Sequence, residues 1–412
     1  MHVVALKLSN FRSYRRAEVR FTPGVNVVVG ANATGKTNLL EAAWFALRGG
    51  SPRTRRDDKL VTWGERALHV TLTLEEEGGR RHTLAVGFAA GQGKRARWDG
   101  ADLESLEALR GRAQAFIFVP ESLLLVKGSP ARRRAHLDAF GSGLDPVYAA
   151  TAAQLQGVLR QRNAQLAALR QGGDEAALEP WDAQFARLAV ALGRRRRDLV
   201  AELAEGFAAT AAELAPPGAR FALQLVSHLE ALGYDEEALR AELRRRRAAE
   251  VARGATLVGP HRDDLVFLEV AAAPQAPPAA APPAEPVAAE DDAGPSLPPG
   301  GRDLRLFGSQ GEQRAAVLAL LLAEQRLAAA RTGDRGTLFL DDVMSELDDA
   351  RRRRLVRLLA GAGQAIVTTT NRHYFTEAEL RAATVIELPL PGAAAAGSGA
   401  APGAAADAGE AP

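Results

Sequence analysis

The sequence predicts an α/β fold in which one central sheet is divided by a long helical insertion. Three observations predict it. A short apolar strand, residues 24–29, runs into the loop Gly30-Ala31-Asn32-Ala33-Thr34-Gly35-Lys36-Thr37 and then into a helix-patterned segment. A second apolar strand, Thr337–Leu340, ends in the acid pair Asp341-Asp342. Between them, Phe185, Leu188, Leu192, Leu199 and Leu203 recur at heptad spacing, with Arg195 and Arg196 interrupting one turn of the seam.

The elements follow in order. Residues 3–8 are apolar and β-branched, a first strand. Asn38–Leu47 carries Leu39, Leu40, Ala43 and Leu47 on one helical face, and Gly49-Gly50 stops it. Residues 67–74 and 82–88 alternate around Gly78-Gly79, which predicts an antiparallel hairpin. Residues 115–119 form a buried strand stopped by Pro120. Long helices then begin. Leu155, Val158, Leu159, Leu166 and Leu169 form one stripe and the heptad seam another, with Gly172-Gly173 between, so the expectation is helices folded back as an arm. Strand character returns at 255–258 and 265–270. The Pro/Ala-rich stretch 271–300 cannot build a core and reads as a disordered insert. A helix over 311–327 and a last strand over 364–370 follow, and 391–412 reads as a disordered tail. The expected units are 1–130 and 255–390 as two halves of one head, with 131–254 as the helical arm.

Composition bounds the class. The chain has 412 residues, 47% hydrophobic and 25% charged, as an ordinary folded protein does. It has no cysteine, which excludes disulfides and thiolate metal sites. No run of apolar residues is long enough to span a membrane, and no secretory signal is apparent, so no membrane partner and a cytoplasmic location are expected. Net charge is only +2, but arginines cluster at Arg53/Arg55/Arg56, 132–134, 194–197, 244–247 and 351–354. Such runs either bind phosphate backbones or form solvated helix faces.

The loop Gly30–Thr37 matches G-x-x-x-x-G-K-[ST] between a strand and a helix. Its glycines let backbone N–H groups turn toward phosphate oxygens, and the helix that follows adds its positive N-terminal end. Lys36 would neutralise the β- and γ-phosphates of ATP, and the Thr37 hydroxyl would ligate Mg²⁺. Asp341, at the end of a buried strand, is the expected second Mg²⁺ ligand. Asp342 would orient or deprotonate the attacking water. Lys36 and Asp341 lie 305 residues apart, so something large is inserted between two halves of one nucleotide-binding sheet. Phe307-Gly308-Ser309-Gln310-Gly311-Glu312-Gln313 opens a helix upstream of Asp341. Its hydroxyl, glycine and helix N-terminus suit a γ-phosphate, and Ser309 would equally serve as a plain N-cap.

Several stretches together resemble one family. They are Leu8-Ser9-Asn10-Phe11-Arg12-Ser13-Tyr14, Gly35–Ala42, residues 120–130 with Arg132-Arg133-Arg134, Gly259-Pro260-His261-Arg262-Asp263-Asp264-Leu265, and Asp341-Asp342 with Ser345-Glu346-Leu347-Asp348. They look like the RecF family of SMC-like ATPases, over about residues 2–390. The resemblance implies an ABC-type P-loop head with an inserted helical arm. It implies that Gly30, Ala31, Asn32, Ala33, Thr34, Gly35, Lys36, Thr37, Asn38 and Arg12 contact nucleotide. In a head-to-tail homodimer, Ser309, Gly311, Gln313, Ser345 and Asp348 would reach ATP held by the other copy. It further implies DNA binding, duplex and single-stranded or gapped, slow ATP turnover, and work with RecR, RecO and RecA in recombinational repair. A structural DNA clamp or a diverged paralogue with little turnover is the alternative.

The chain departs from the family pattern in places. The loop interior lacks the glycine the family carries after Asn32, and Ser122 stands where Asp is common. No histidine follows the last strand directly, leaving Thr369, Thr370 and Asn371, then His373, as candidates to touch the γ-phosphate. No Q-loop glutamine is visible, and Pro120-Glu121 occupies its place. In Gly259–Leu265, either His261 and Arg262 contact phosphate, or Asp263 or Asp264 fixes Arg262 in a structural ion pair.

Overall fold

Strands that are apolar at every position need cover on both faces, which is the condition of a parallel sheet inside an α/β fold. The computed structural model describes residues 1–105, 111–270, 301–390 and 394–395. At its centre lie five parallel strands in the order β14-β3-β13-β12-β8. These are β3 (Val25–Val29), β8 (Ala115–Phe118), β12 (Thr337–Leu340), β13 (Gln364–Thr369) and β14 (Thr384–Glu387). The two-residue period splits their side chains cleanly. Val27, Phe116, Phe118, Leu338, Leu340, Ala365 and Val367 face one core, and Val28, Ala115, Ile117, Phe339 and Ile366 face the other.

On the second face lies helix α1 (Lys36–Arg48), and beyond it a seven-stranded antiparallel sheet in the order β15-β2-β1-β4-β5-β6-β7. Its strands are β1 (His2–Phe11), β2 (Tyr14–Arg20), β4 (Ala67–Glu75), β5 (Arg81–Ala89), β6 (Gly93–Trp98), β7 (Ala101–Asp102) and β15 (Ala394–Ala395). The expected hairpin is β4–β5, in register from Ala67↔Ala89 to Glu75↔Arg81. Helix α1 stops at Gly49, which takes a left-handed φ of 71° and returns its N–H to Phe45. Gln364 ties the two sheets together, accepting from Val3 N–H and donating to Val3 C=O.

The first face is covered by α2 (Pro130–Leu144), α3 (Pro146–Leu169), α4 (Glu179–Leu214), α5 (Glu236–Arg253) and α6 (Gln310–Thr332), with α7 (Asp349–Gly361) at the edge. Helix α6 is buried from Gln313 to Gln325 without a break, as a helix enclosed on all sides must be. The helices α3 and α4 pack on each other as expected. All five seam residues of α4 are buried, and the helix also packs on α6 and on strand β9 (Arg220–Val226), in one continuous core with the parallel sheet.

Two expectations need correction. Strand β9 lies inside the segment expected to be all helical. Its Phe221, Leu223 and Leu225 alternate inward, and it pairs with β10 (Asp264–Val270), which pairs with β11 (Gly301–Asp303). Residues 255–258, expected as a strand, are irregular, because Thr256 is held by Asn163 and Arg162 rather than by a neighbouring strand. The expected disorder at 271–300 and over most of 391–412 lies outside the described residues. Within that tail, the backbone of Ala394–Ala395 pairs with β2.

Candidate functional site

Strand β3 delivers the chain to the loop at the carboxyl edge of the parallel sheet, where an open α/β sheet places its ligands. Gly30 N–H donates to Thr369 C=O at 3.2 Å, fixing where the loop leaves the sheet. Gly35 takes a φ of 96°, and a Cβ there would sit 2.7 Å from the Tyr14 hydroxyl. Tyr14, on β2, donates to Gly35 C=O at 3.2 Å, and burial pushes its phenol up to about 12. The loop therefore rests on the antiparallel sheet. Thr34 closes it by donating to Ala31 C=O. Lys36 Nζ lies across it, donating to Gly30 C=O at 2.7 Å and Ala31 C=O at 2.8 Å. Burial lowers the Lys36 ammonium, while Asp342 and Asp341 pull it back. Ala33 holds a left-handed φ of 63°. Asn38 Nδ2 donates to Ser13 Oγ at 2.9 Å, and Arg53 donates to its Oδ1.

Strand β12 brings the acid pair to the same edge. Asp341 is buried, and its Oδ2 accepts from Thr37 Oγ1 at 2.7 Å across 304 residues of chain. Its Oδ1 accepts from Thr368 Oγ1 at 2.7 Å, and Thr368 Oγ1 in turn accepts from Asp342 N–H at 3.0 Å. Asp342 has a left-handed φ of 44°. Its Oδ1 is buried and has no hydrogen-bond partner among the described residues. Burial pushes the Asp342 carboxyl up, against the pull of Ser345 and Lys36 and with the push of Asp341. A carboxyl moved toward neutrality beside a fixed lysine and a fixed second carboxylate is the arrangement expected of a base.

Thr368 is the residue that sequence reasoning missed. The reading began one position later, at Thr369, whose hydroxyl donates to Asn371 C=O. Asn371 caps the turn at His373. The signal was faint: one hydroxyl within a fully buried β-branched strand, level with the acid of the neighbouring strand.

Other expected contact residues are held locally. Arg12, at a left-handed φ of 51°, gives two bonds to the buried carboxylate of Glu41 and one to Lys59 C=O. Glu41 also accepts from Arg53 and Ser51. Ser309 is the N-cap of α6, in a reciprocal capping box with Glu312. Gly311 stands in the first turn, with only Arg351 Nη1, at 3.5 Å, near its missing Cβ. Gln313 is turned inward: its Nε2 donates to Leu304 C=O, which braces the segment leading into the helix. Its expected reach toward another copy is therefore not the orientation seen in this conformation. Ser345 donates to Asp342 C=O, and Asp348 caps α7 through Arg351 N–H. Arg314 of α6 pairs with Glu346, coupling that turn to the capped helix.

The Gly259–Leu265 motif is a joint between the helices and β10. Asp263, fully buried, binds Arg196 of α4 at 3.0 Å, and Arg196 also grips Asp138 of α2 through two bonds. Asp264 takes both arms of Arg133, at 2.6 and 2.7 Å. The acids thus bind arginines of two distant runs. His261 Nε2 lies 2.9 Å from Thr256 C=O, its ring meets Phe185 edge-on, and burial lowers its pKa to about 4, so it is neutral. Arg133 and Arg196 are buried ion partners, neither solvated nor open to phosphate.

This geometry has counterparts. The family model described as RecF/RecN/SMC N terminal domain matches residues 2–387. The chain is 37% identical over 94% of its length to the DNA replication and repair protein RecF of Heliobacterium modesticaldum, covering 97% of that protein. It is 38% identical over 90% of its length to the RecF of Acidothermus cellulolyticus, covering 94% of it. Among solved structures it is similar to one described as the recombination mediator protein RecF-ATP in the RecFOR pathway. There the TM-score is 0.75 and the identity 27%, covering 91% of this chain and 93% of that one. An SMC head bound to the C-winged helix domain of ScpA, 15% identical with a TM-score of 0.53 over 90% of each chain, shares the fold. With a parallel sheet carrying the loop and acid pair, a flanking antiparallel sheet, and these relatives, the chain belongs to the RecF family of SMC-like, ABC-type ATPase heads.

Proposed function

We propose that this chain is an ATP-gated DNA-binding protein of replication and recombinational repair, in which ATP closes a head-to-tail homodimer and slow hydrolysis reopens it. The observation that carries the reading is the 2.7 Å contact of Thr37 Oγ1 with Asp341 Oδ2, beside Lys36 and Asp342. A loop hydroxyl and a strand-end carboxylate meeting at the mouth of a P-loop have one familiar use, to hold Mg²⁺ on a nucleoside triphosphate. The donor set fits that ion: hard oxygens only, with a further buried carboxylate oxygen, Asp342 Oδ1, left unpaired. Thr37 and Asp341 would hold it, and the ion would neutralise charge on the β- and γ-phosphates.

The protein's own groups supply the rest. Lys36 exchanges the carbonyls of Gly30 and Ala31 for phosphate oxygens, and the loop N–H groups turn inward around them. Thr368 holds Asp341 and the Asp342 backbone in line. Asp342 orients the attacking water and takes its proton. An aspartate reaches less far than a glutamate, so turnover is slow.

The second copy enters through α6. Among the described residues, Gly311 meets nothing that requires glycine. Beside it Leu306 and Phe307 are 63% and 62% exposed. A helix N-terminus flanked by exposed apolar side chains supports a face that closes on a phosphate held by another copy. Two solved relatives are described as working in the RecFOR pathway. By that kinship we assign this chain to DNA gaps, with RecR and RecO as partners and RecA loading as the outcome.

Nucleotide binding is tested by titrating ATP into Lys36→Ala. Loss of a charge-assisted phosphate contact should weaken binding by roughly a hundredfold, from about 3 kcal/mol. Affinity within about twofold of the parent would remove Lys36 from the site.

A further inference from the structure

The most exposed large apolar side chain among the described residues is Trp63, at 94%. It stands on a rigid support. Its neighbour Thr62 is buried, receives a bond from Glu65 N–H at 3.0 Å, donates N–H to Asn10 C=O at 2.9 Å, and gives its hydroxyl to Arg12 C=O at 2.9 Å. A flexible loop would hide such a ring. This turn, closed by Gly64 at a φ of 85°, holds it in solvent.

The turn lies at the end of a basic trough. Across the antiparallel sheet, Ala17, Leu8, Val70, Val86 and Ala96 form one register row that is buried. The next row, by the two-residue period, faces outward and reads Arg16, Ser9, His69, Gly87, Arg95. Two arginines flank small residues and a histidine, with no carboxylate in the row. Arg16 and Arg95 form no ion pair among the described residues. Ser9, His69, Gly87 and Arg95 line a shallow groove of about 370 Å³, and Asn10, which holds the Trp63 turn, lines it too.

We infer that Trp63 stacks on an unpaired base of DNA whose phosphates lie in the Arg16–Arg95 trough. This rests on the DNA-binding reading above and names the feature of DNA that is read. Most arginine runs are spent on internal acids, but this row is not. A base needs an aromatic face, a phosphate chain needs cations, and neither needs a deep pocket. Of the acids near the turn, Glu65 faces Arg15 at 3.5 Å and Asp58 pairs with Arg56 at 2.6 Å.

The test uses the full chain with ATP and three DNAs of one length: blunt duplex, gapped duplex and single strand, the latter two carrying 2-aminopurine in the unpaired stretch. Trp63→Ala should lower affinity for gapped and single-stranded DNA by roughly tenfold, the loss of one base stack, and abolish the 2-aminopurine response. Trp63→Phe should recover most of both. Binding to blunt duplex should stay within about twofold, since only phosphates are held there. Arg16→Ala should weaken all three DNAs alike and flatten the salt dependence. Unaltered gapped-DNA binding by Trp63→Ala, or loss of ATP-driven self-association in its place, would overturn the inference and in the second case assign the turn to subunit contact. Failure of the parent chain to bind any of the DNAs would instead refute the DNA-binding reading, and the inference with it.

Discussion

Ala33 holds a left-handed backbone in the nucleotide loop, and its methyl group makes that conformation costly. An L-residue there is strained by about 1–2 kcal/mol, which glycine avoids. Glycine also frees the unfolded chain, at a cost of about 0.4–1 kcal/mol. Ala33→Gly should therefore stabilise the fold by a net ~0.5–1 kcal/mol, read from urea midpoints, without weakening ATP binding. A loss of stability would mean that the loop does not hold this conformation. Among single residues, Lys36, Thr37 and Asp341 were legible because each combines a rare chemical type with a required neighbour. Thr368 was not, because a hydroxyl in a β-branched strand reads the same whether or not it faces an acid. Arg12 was visible as a candidate, but its commitment to Glu41 depends on side-chain packing that the sequence does not spell out.

Elements defined by a period were readable, and those defined by long-range partners were not. The strand–loop–helix around Gly30, the β4–β5 hairpin and the apolar seam of α4 each follow a local spacing. Strand β9 was hidden inside a helical stretch, although Phe221, Leu223 and Leu225 alternate. The arginine runs were harder still. Successive helix positions point in different directions, so only Arg196 of its run turns inward, to partners 58 and 67 residues away. Such a buried network is costly to break, about 3–5 kcal/mol when one partner is removed. His261, at the same joint, gives the fold a pH dependence. Its folded pKa of about 4 lies below the ordinary 6.5, so its contribution is complete above 6.5 and lost as pH falls toward 4, where the unfolded chain binds the extra proton first. His261→Gln should remove a stability loss on the order of 2–3 kcal/mol between about pH 7.5 and pH 4.5. Urea midpoints at the two pH values check this, and an unchanged pH difference would show that His261 is not the group responsible.

At the scale of the molecule, the nucleotide site exists only because the two ends of the chain fold into one sheet. Strand β13 lies between β3 and β12, and of the helices that separate them in sequence α1 covers one face and α2 to α6 the other. The long interval between Lys36 and Asp341 made that arrangement legible, and the inserted segment holds long helices together with strand β9. The single chain leaves Ser309 and Gly311 bonded only within their own segment, which is why the central claim concerns two copies. Sedimentation of Asp342→Asn with ATP, with and without gapped DNA, tests it most directly. The substitution keeps Thr37 and Asp341, the pair proposed to hold Mg²⁺, but removes the proposed base. The account predicts a stable dimer at micromolar protein with ATP, a monomer without it, and co-sedimentation with DNA only in the ATP state. A monomer with saturating ATP, or DNA binding indifferent to ATP, would contradict it.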